Sequence, residues 1–289
     1  MPIAPIGEVE LYYEVEGDGD WLVLSHGGDG THLSFWENVY ALRQHYKCLT
    51  YDMRGLGQSS GTIDYLKADA DLFALMNHLK IDRAHLNGHS AGGLAVSRVA
   101  MHNPERVLSL TMTDTPFAFL TPSLSRWAQG MADRLHADQG LGVASTREHF
   151  SVVDPQAAFL TGALGRLNER TRPATPKLAQ EAYGRLYRDW AAAKPEDYSR
   201  WQIPTLFVVG EYDGLTVPWL IRATARAVKG AKLAVLRNAG HSAHREQADA
   251  YNALVLAFLQ DVDAKRRDPT HARPQWSLVD FFHSVSGIA

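Results

Sequence analysis

Ala84-His85-Leu86-Asn87-Gly88-His89-Ser90-Ala91-Gly92-Gly93 is the stretch on which the fold turns. Ala84–Asn87 reads as a short core strand, and Ala91–His102 reads as the amphipathic helix that follows it. Ser90 therefore sits in a tight strand-to-helix turn. The glycines of Gly88-x-Ser90-x-Gly92 let neighbouring backbones come close, and the helix N-terminus favours negative charge beside the hydroxyl. A serine so placed could also be a plain helix cap, so the pentapeptide needs support from elsewhere in the chain.

Three other segments give it. His26-Gly27-Gly28-Asp29-Gly30 follows the apolar run Trp21–Ser25. Gly28, with Gly27 as the alternative, and Ala91 just after the serine are the expected backbone N–H donors for a developing oxyanion. Asp213, in Gly210-Glu211-Tyr212-Asp213, comes just after the run Thr205–Val209. His241, in Asn238-Ala239-Gly240-His241, comes just after Lys232–Leu236. A lone histidine is more often a structural hydrogen-bonder than a base. Here serine, aspartate and histidine follow successive predicted strands, in the order that a Ser-His-Asp triad takes on an open parallel sheet.

Around these points, short β-branched and aromatic runs alternate with longer amphipathic ones, the pattern of a parallel sheet with crossover helices. Val9–Val15 is expected as an edge strand, and Lys47–Tyr51 and Val107–Met112 as core strands. Further helices are expected over Phe35–His45, Tyr65–Leu79, Pro218–Val228 and Ala243–Leu259. The alternation stops across 116–201. That stretch is too long for a structureless connection and reads as an inserted helical cap. Trp127, Phe150, Phe159 and Trp190 are its candidate pocket-lining residues. The domain expectation is thus a core of 1–115 and 202–260, a cap of 116–201 and an extension of 261–289. The extension holds a charged link (Asp261–Asp268) and, over Leu278–Val285, a short amphipathic helix after the capping-box-like start at Ser277. That helix would dock on the body or on a second subunit of a homodimer.

Composition narrows the partners. A formal net charge of −3 gives no reason to expect nucleic acid or an anionic membrane. No apolar run approaches the roughly 18 residues that a membrane span needs, and no secretory signal is visible at the start. The expected location is cytoplasmic. Cys48 is the single cysteine. This excludes an intrachain disulfide or a multi-cysteine metal site, and a buried, inert thiol is expected.

The whole pattern resembles the α/β-hydrolase superfamily, through HGGDG (26–30), YDMRGLGQS (51–59), GHSAGG (88–93), GEYDGLTVP (210–218) and NAGH (238–241). The resemblance implies a capped serine hydrolase, similar to esterases, lactonases, proline iminopeptidase-like enzymes, C–C bond hydrolases and perhydrolases. It implies Ser90 as nucleophile, His241 as base, Asp213 as the orienting acid, no cofactor and no metal, and a small-molecule acyl substrate. It also implies that Asp52 and Arg54 stabilise the turn after the fourth strand. Haloalkane dehalogenases and epoxide hydrolases of this fold carry aspartate at the elbow, and Ser90 argues against both. Three readings stay open: hydrolysis of a carboxylic ester or lactone, hydrolysis of a C–C bond beside a ketone, and a triad-retaining ligand receptor. Asp114, just after Val107–Met112, is the alternative acid.

Overall fold

A computed structural model describes residues 2–28, 30–115, 182, 185, 201–213 and 218–268. Eight strands form one sheet: β1 (Ile3–Ile6), β2 (Val9–Glu16), β3 (Trp21–Ser25), β4 (Lys47–Tyr51), β5 (Ala84–His89), β6 (Val107–Thr113), β7 (Thr205–Gly210) and β8 (Lys232–Leu236). Their spatial order is β1-β2-β4-β3-β5-β6-β7-β8. The first two pairings, β1 with β2 and β2 with β4, are antiparallel, and every later one is parallel. Every residue of β5, β6 and β7 is buried, as expected of parallel strands covered on both faces. Helices α2 (Ala68–His78), α3 (Ala91–His102) and α4 (Pro218–Ala227) share one apolar cluster with the sheet, around Leu72, Val96 and Phe207. On the other face α1 (Trp36–Leu42), α5 (Ala243–Glu246) and α6 (Ala248–Arg267) pack around Leu42, Tyr251 and Leu206. The mostly parallel sheet flanked by helices on both faces is the α/β architecture expected from the sequence.

Several element expectations need correction. Val9–Val15 is not at the edge, because β1 pairs outside it from Ile3 to Ile6. That outer strand has only four residues and contains Pro5, which an edge strand tolerates. The helix expected from Phe35 is preceded by a 3₁₀ turn, His32–Phe35, and begins at Trp36. The helix expected from Tyr65 begins at Ala68, because Asp64 first closes a turn with the N–H groups of Leu66 and Lys67.

The expected helix Ala243–Leu259 is two helices, α5 and α6, separated at Gln247. The charged link is instead the last two turns of α6, which runs to Arg267. Its charges are engaged with the body. Asp261 pairs with Lys232 at 3.2 Å and Lys265 at 2.6 Å, and Arg266 reaches Asp20. Asp263 accepts from Tyr46 Oη at 2.9 Å and lies 3.2 Å from His85 Nε2.

Of the 116–201 stretch the structure describes Ala182, Arg185 and Trp201. Ala182 is buried in the cluster of α2 and α3, and Arg185 donates to the carbonyl of Ile63. Trp127, Phe150, Phe159, Trp190 and the tail helix Leu278–Val285 lie outside the described residues. Cys48 is buried, and burial pushes its thiol up to about 12. Among the described residues no helix is long and apolar enough to cross a membrane.

Candidate active site

The loops at the carboxyl ends of the parallel strands carry Gly28, Ser90, Ala91, Asp114, Asp213 and His241, as ligand sites on open parallel sheets do. Ser90 is the first residue past β5 and the N-cap of α3, with φ 50° and ψ −118°. Such a backbone is costly for a residue with a side chain. The surroundings impose it: Ser90 N–H donates to the Thr113 carbonyl at 3.0 Å, and the turn is closed by glycines on either side. A Cβ on Gly88 would strike the Gly92 carbonyl, and one on Gly92 would strike the Ser25 carbonyl.

The predicted trio comes together. His241 Nε2 lies 3.0 Å from Ser90 Oγ, and His241 Nδ1 lies 3.1 Å from Asp213 Oδ2. All three side chains are buried. A hydroxyl, an imidazole and a carboxylate in this chain can move a proton from oxygen to nitrogen while the carboxylate fixes the tautomer. The 26–28 loop also lies against the serine: a Cβ on Gly27 would be 3.5 Å from Ser90 Cβ. The Gly28 carbonyl accepts from Tyr65 Oη at 2.6 Å, which ties the loop to the segment before α2. Ala91 is buried at the first position of α3.

Asp52 and Arg54 act on the turn through separate partners. Asp52 Oδ1 accepts from His32 N at 2.6 Å and faces His32 Nδ1 at 2.8 Å, while Oδ2 accepts from Gln58 N at 2.7 Å. Burial pushes its carboxyl up, but the hydrogen bonds from His32 and Gln58 and the charge of His26 together hold it below the usual range. Arg54 forms a two-pronged pair with Asp71 of α2, at 2.5 and 2.6 Å.

The loop of His241 is held by His89 and Glu246, which the sequence did not flag, and by Asp114, which it offered only as an alternative acid. His89 Nε2 lies 2.6 Å from the His241 carbonyl, so that nitrogen must carry the proton and donate it. Burial, and then the charge of His241, pushes the His89 imidazole down to about 3. Glu246 accepts from Gly240 N at 2.8 Å and from Ser242 N at 3.2 Å. Asp114 accepts from Gly210 N at 2.8 Å and from Ala243 N at 2.9 Å. Its carboxyl is pushed well above the usual range by burial and by the charge of Asp213. The signal available in sequence was slight: an acid beside a β-strand end, a histidine inside the serine motif, and a glutamate five residues past His241.

Among the described residues His89, Asp114 and His244 are the one group whose potential metal-ligand atoms lie together, within 4.8 Å. The donors do not suit a cation. His89 spends Nε2 as a donor, and both Asp114 oxygens already receive N–H groups. The cluster is internal scaffolding for the His241 loop.

Comparison with known proteins gives three kinds of likeness. The family described as alpha/beta hydrolase fold matches residues 20–248. A 3-oxoadipate enol-lactonase of Acinetobacter baylyi is 30% identical over 267 residues, covering 88% of this chain and 94% of that one. A protein of Azorhizobium caulinodans described as a candidate carbamate hydrolase is 25% identical over 276 residues, covering 91% and 100%. The solved enol-lactonase of Burkholderia xenovorans LB400 superposes with a TM-score of 0.70 at 25% identity, covering 90% of this chain and all of that one.

Proposed function

Because this chain belongs to the alpha/beta hydrolase fold family, we propose that it is a serine hydrolase cleaving a carboxylic ester or lactone through an acyl-enzyme. The observation that carries the reading is the unbroken chain from Ser90 Oγ through His241 to Asp213. Ser90 Oγ attacks the acyl carbonyl carbon while its proton passes to His241 Nε2. The carbonyl oxygen takes the negative charge and is held by the N–H groups of Gly28 and Ala91, the second at the N-terminus of α3. Collapse expels the alcohol oxygen, which leaves with the proton from His241. In a lactone that alcohol remains tethered to the acyl group. Water, deprotonated by His241, then attacks the acyl-enzyme and restores Ser90. Asp213 stays ionised throughout and keeps the proton of the resting imidazole on Nδ1. Likeness to an enol-lactonase supports an oxygen ester, open or cyclic, as the scissile group.

The test is covalent labelling with an organophosphonate, read by intact mass, beside turnover of a panel of esters, lactones and diketones. Wild type should gain one adduct and Ser90→Ala none, with turnover lost in parallel. Absence of an adduct on wild type, or its survival in the alanine variant, refutes the reading. Turnover confined to diketones would replace ester cleavage by C–C cleavage.

A further inference from the structure

We infer that Asp114 is a positioning residue: its buried carboxylate clamps the backbone that carries Asp213 to the backbone that carries His241. The inference rests on the serine-hydrolase reading above and extends it to a residue outside the chain from Ser90 through His241 to Asp213.

Asp114 is the first residue past β6, as Ser90 is the first past the adjacent β5, and β5 and β6 end paired at His89 and Thr113. Both residues adopt left-handed φ, 50° at Ser90 and 48° at Asp114. Asp114 N–H donates to the Val208 carbonyl at 2.9 Å, which ties its backbone to β7. The bend turns the fully buried side chain between two loops. Oδ1 takes the N–H of Gly210, three residues before Asp213, at 2.8 Å. Oδ2 takes the N–H of Ala243, two residues after His241, at 2.9 Å. One rigid carboxylate thus sets the spacing of the acid and base loops. Burial and the charge of Asp213 raise this carboxyl, and the two backbone N–H donors act against them in favour of the carboxylate, since a protonated carboxyl would aim an O–H at one of the donors.

The groups facing it come from every neighbouring element: Asp213 after β7, His241 after β8, His89 at the end of β5, His244 on α5 and Tyr251 on α6. Of these, only Asp213 is another carboxylate, and it is the one bonded to the imidazole. In its carboxylate form Asp114 thus adds a second negative charge near the imidazolium that forms during turnover.

Asp114→Asn keeps the shape, removes the charge and turns one acceptor into a donor that opposes a backbone N–H. Rates are measured per phosphonate-titrated site, so that misfolded protein does not enter the comparison, and Asp213→Asn is run beside it. Misplacement of a catalytic group costs on the order of a hundredfold. For Asp114→Asn, kcat per titrated site should fall by about ten- to a hundredfold with KM within about twofold. The acid limb of its pH–rate profile should move to lower pH, because a negative charge that favours the imidazolium is gone. Asp213→Asn should cost on the order of ten-thousandfold. Wild-type kcat per titrated site with an unmoved acid limb would make Asp114 a merely structural residue and overturn the inference. A loss in Asp114→Asn larger than in Asp213→Asn would overturn it too, by making Asp114 the orienting acid. Failure of wild-type Ser90 to label at all would instead remove the hydrolase reading beneath it.

Discussion

At the scale of the residue, the site depends on positions where a side chain is excluded as much as on those where one is required. Gly92 is the sharpest case, since a Cβ there meets the backbone carbonyls of Ser25 and His26, neither of which can swing away. Gly92→Ala should force β3 and α3 apart. We expect a loss of about 3 kcal/mol, the upper range for overpacking, and a fall in Ser90 labelling. Denaturant unfolding with labelling in parallel checks this, and an unchanged midpoint would contradict it. Ser90, Asp213 and His241 could be picked out in the sequence because each follows its own apolar strand within five residues and has glycine nearby. The side chains that hold His241 could not. Asp114 finds its acceptor roles 96 and 129 residues away, and His89 meets the His241 carbonyl 152 residues away. Such pairings exist only once the sheet order is known. Asp114 was visible as an acid in the right place, and only its hydrogen bonds show what it holds.

At the scale of the element, α6 shows how periodicity can mislead. Asp261, Asp263, Lys265 and Arg266 look like a solvated linker, yet Asp261 and Asp263 are buried against the sheet's far end and the helix continues through them. The sequence pattern failed because the helix is stabilised there by polar partners rather than an apolar stripe. β1 was missed for the opposite reason: four residues with a central proline carry too little periodicity to register. The α6 anchor predicts that Asp263→Leu destabilises the fold by about 2–3 kcal/mol, because the Tyr46 hydroxyl and the His85 ring lose a buried acceptor. His85 lies near the start of β5, whose other end delivers Ser90. Turnover per titrated site should therefore remain at the wild-type level while the unfolding midpoint falls. A matched loss of turnover would show that the two ends of β5 are coupled.

At the scale of the whole molecule, buried histidines tie stability to pH. Burial, and then the charge of neighbouring His89, holds His244 well below its ordinary range. Its pKa is lower folded than unfolded, so between the two values the unfolded chain binds more protons. The stability it contributes is complete above about pH 6.5 and drains away as the pH falls. Asp114 and Glu246, whose carboxyls are raised chiefly by burial, act in the opposite sense, so a single-site comparison is needed. His244→Phe, stacked on Phe35 and His89 as the histidine is, should lose less stability than wild type between pH 6.5 and pH 5, by about 2 kcal/mol. Melting at both pH values checks this, and parallel losses would contradict it. The strand order has a last consequence. β6 and β7 are direct neighbours, paired from Leu110 and Thr205 onward, although 116–201 separates them along the chain. The excursion therefore leaves and re-enters the sheet at adjoining strands, so the pairing that sets Asp114 beside Gly210 is fixed by β6 and β7 themselves, whatever length of chain lies between them.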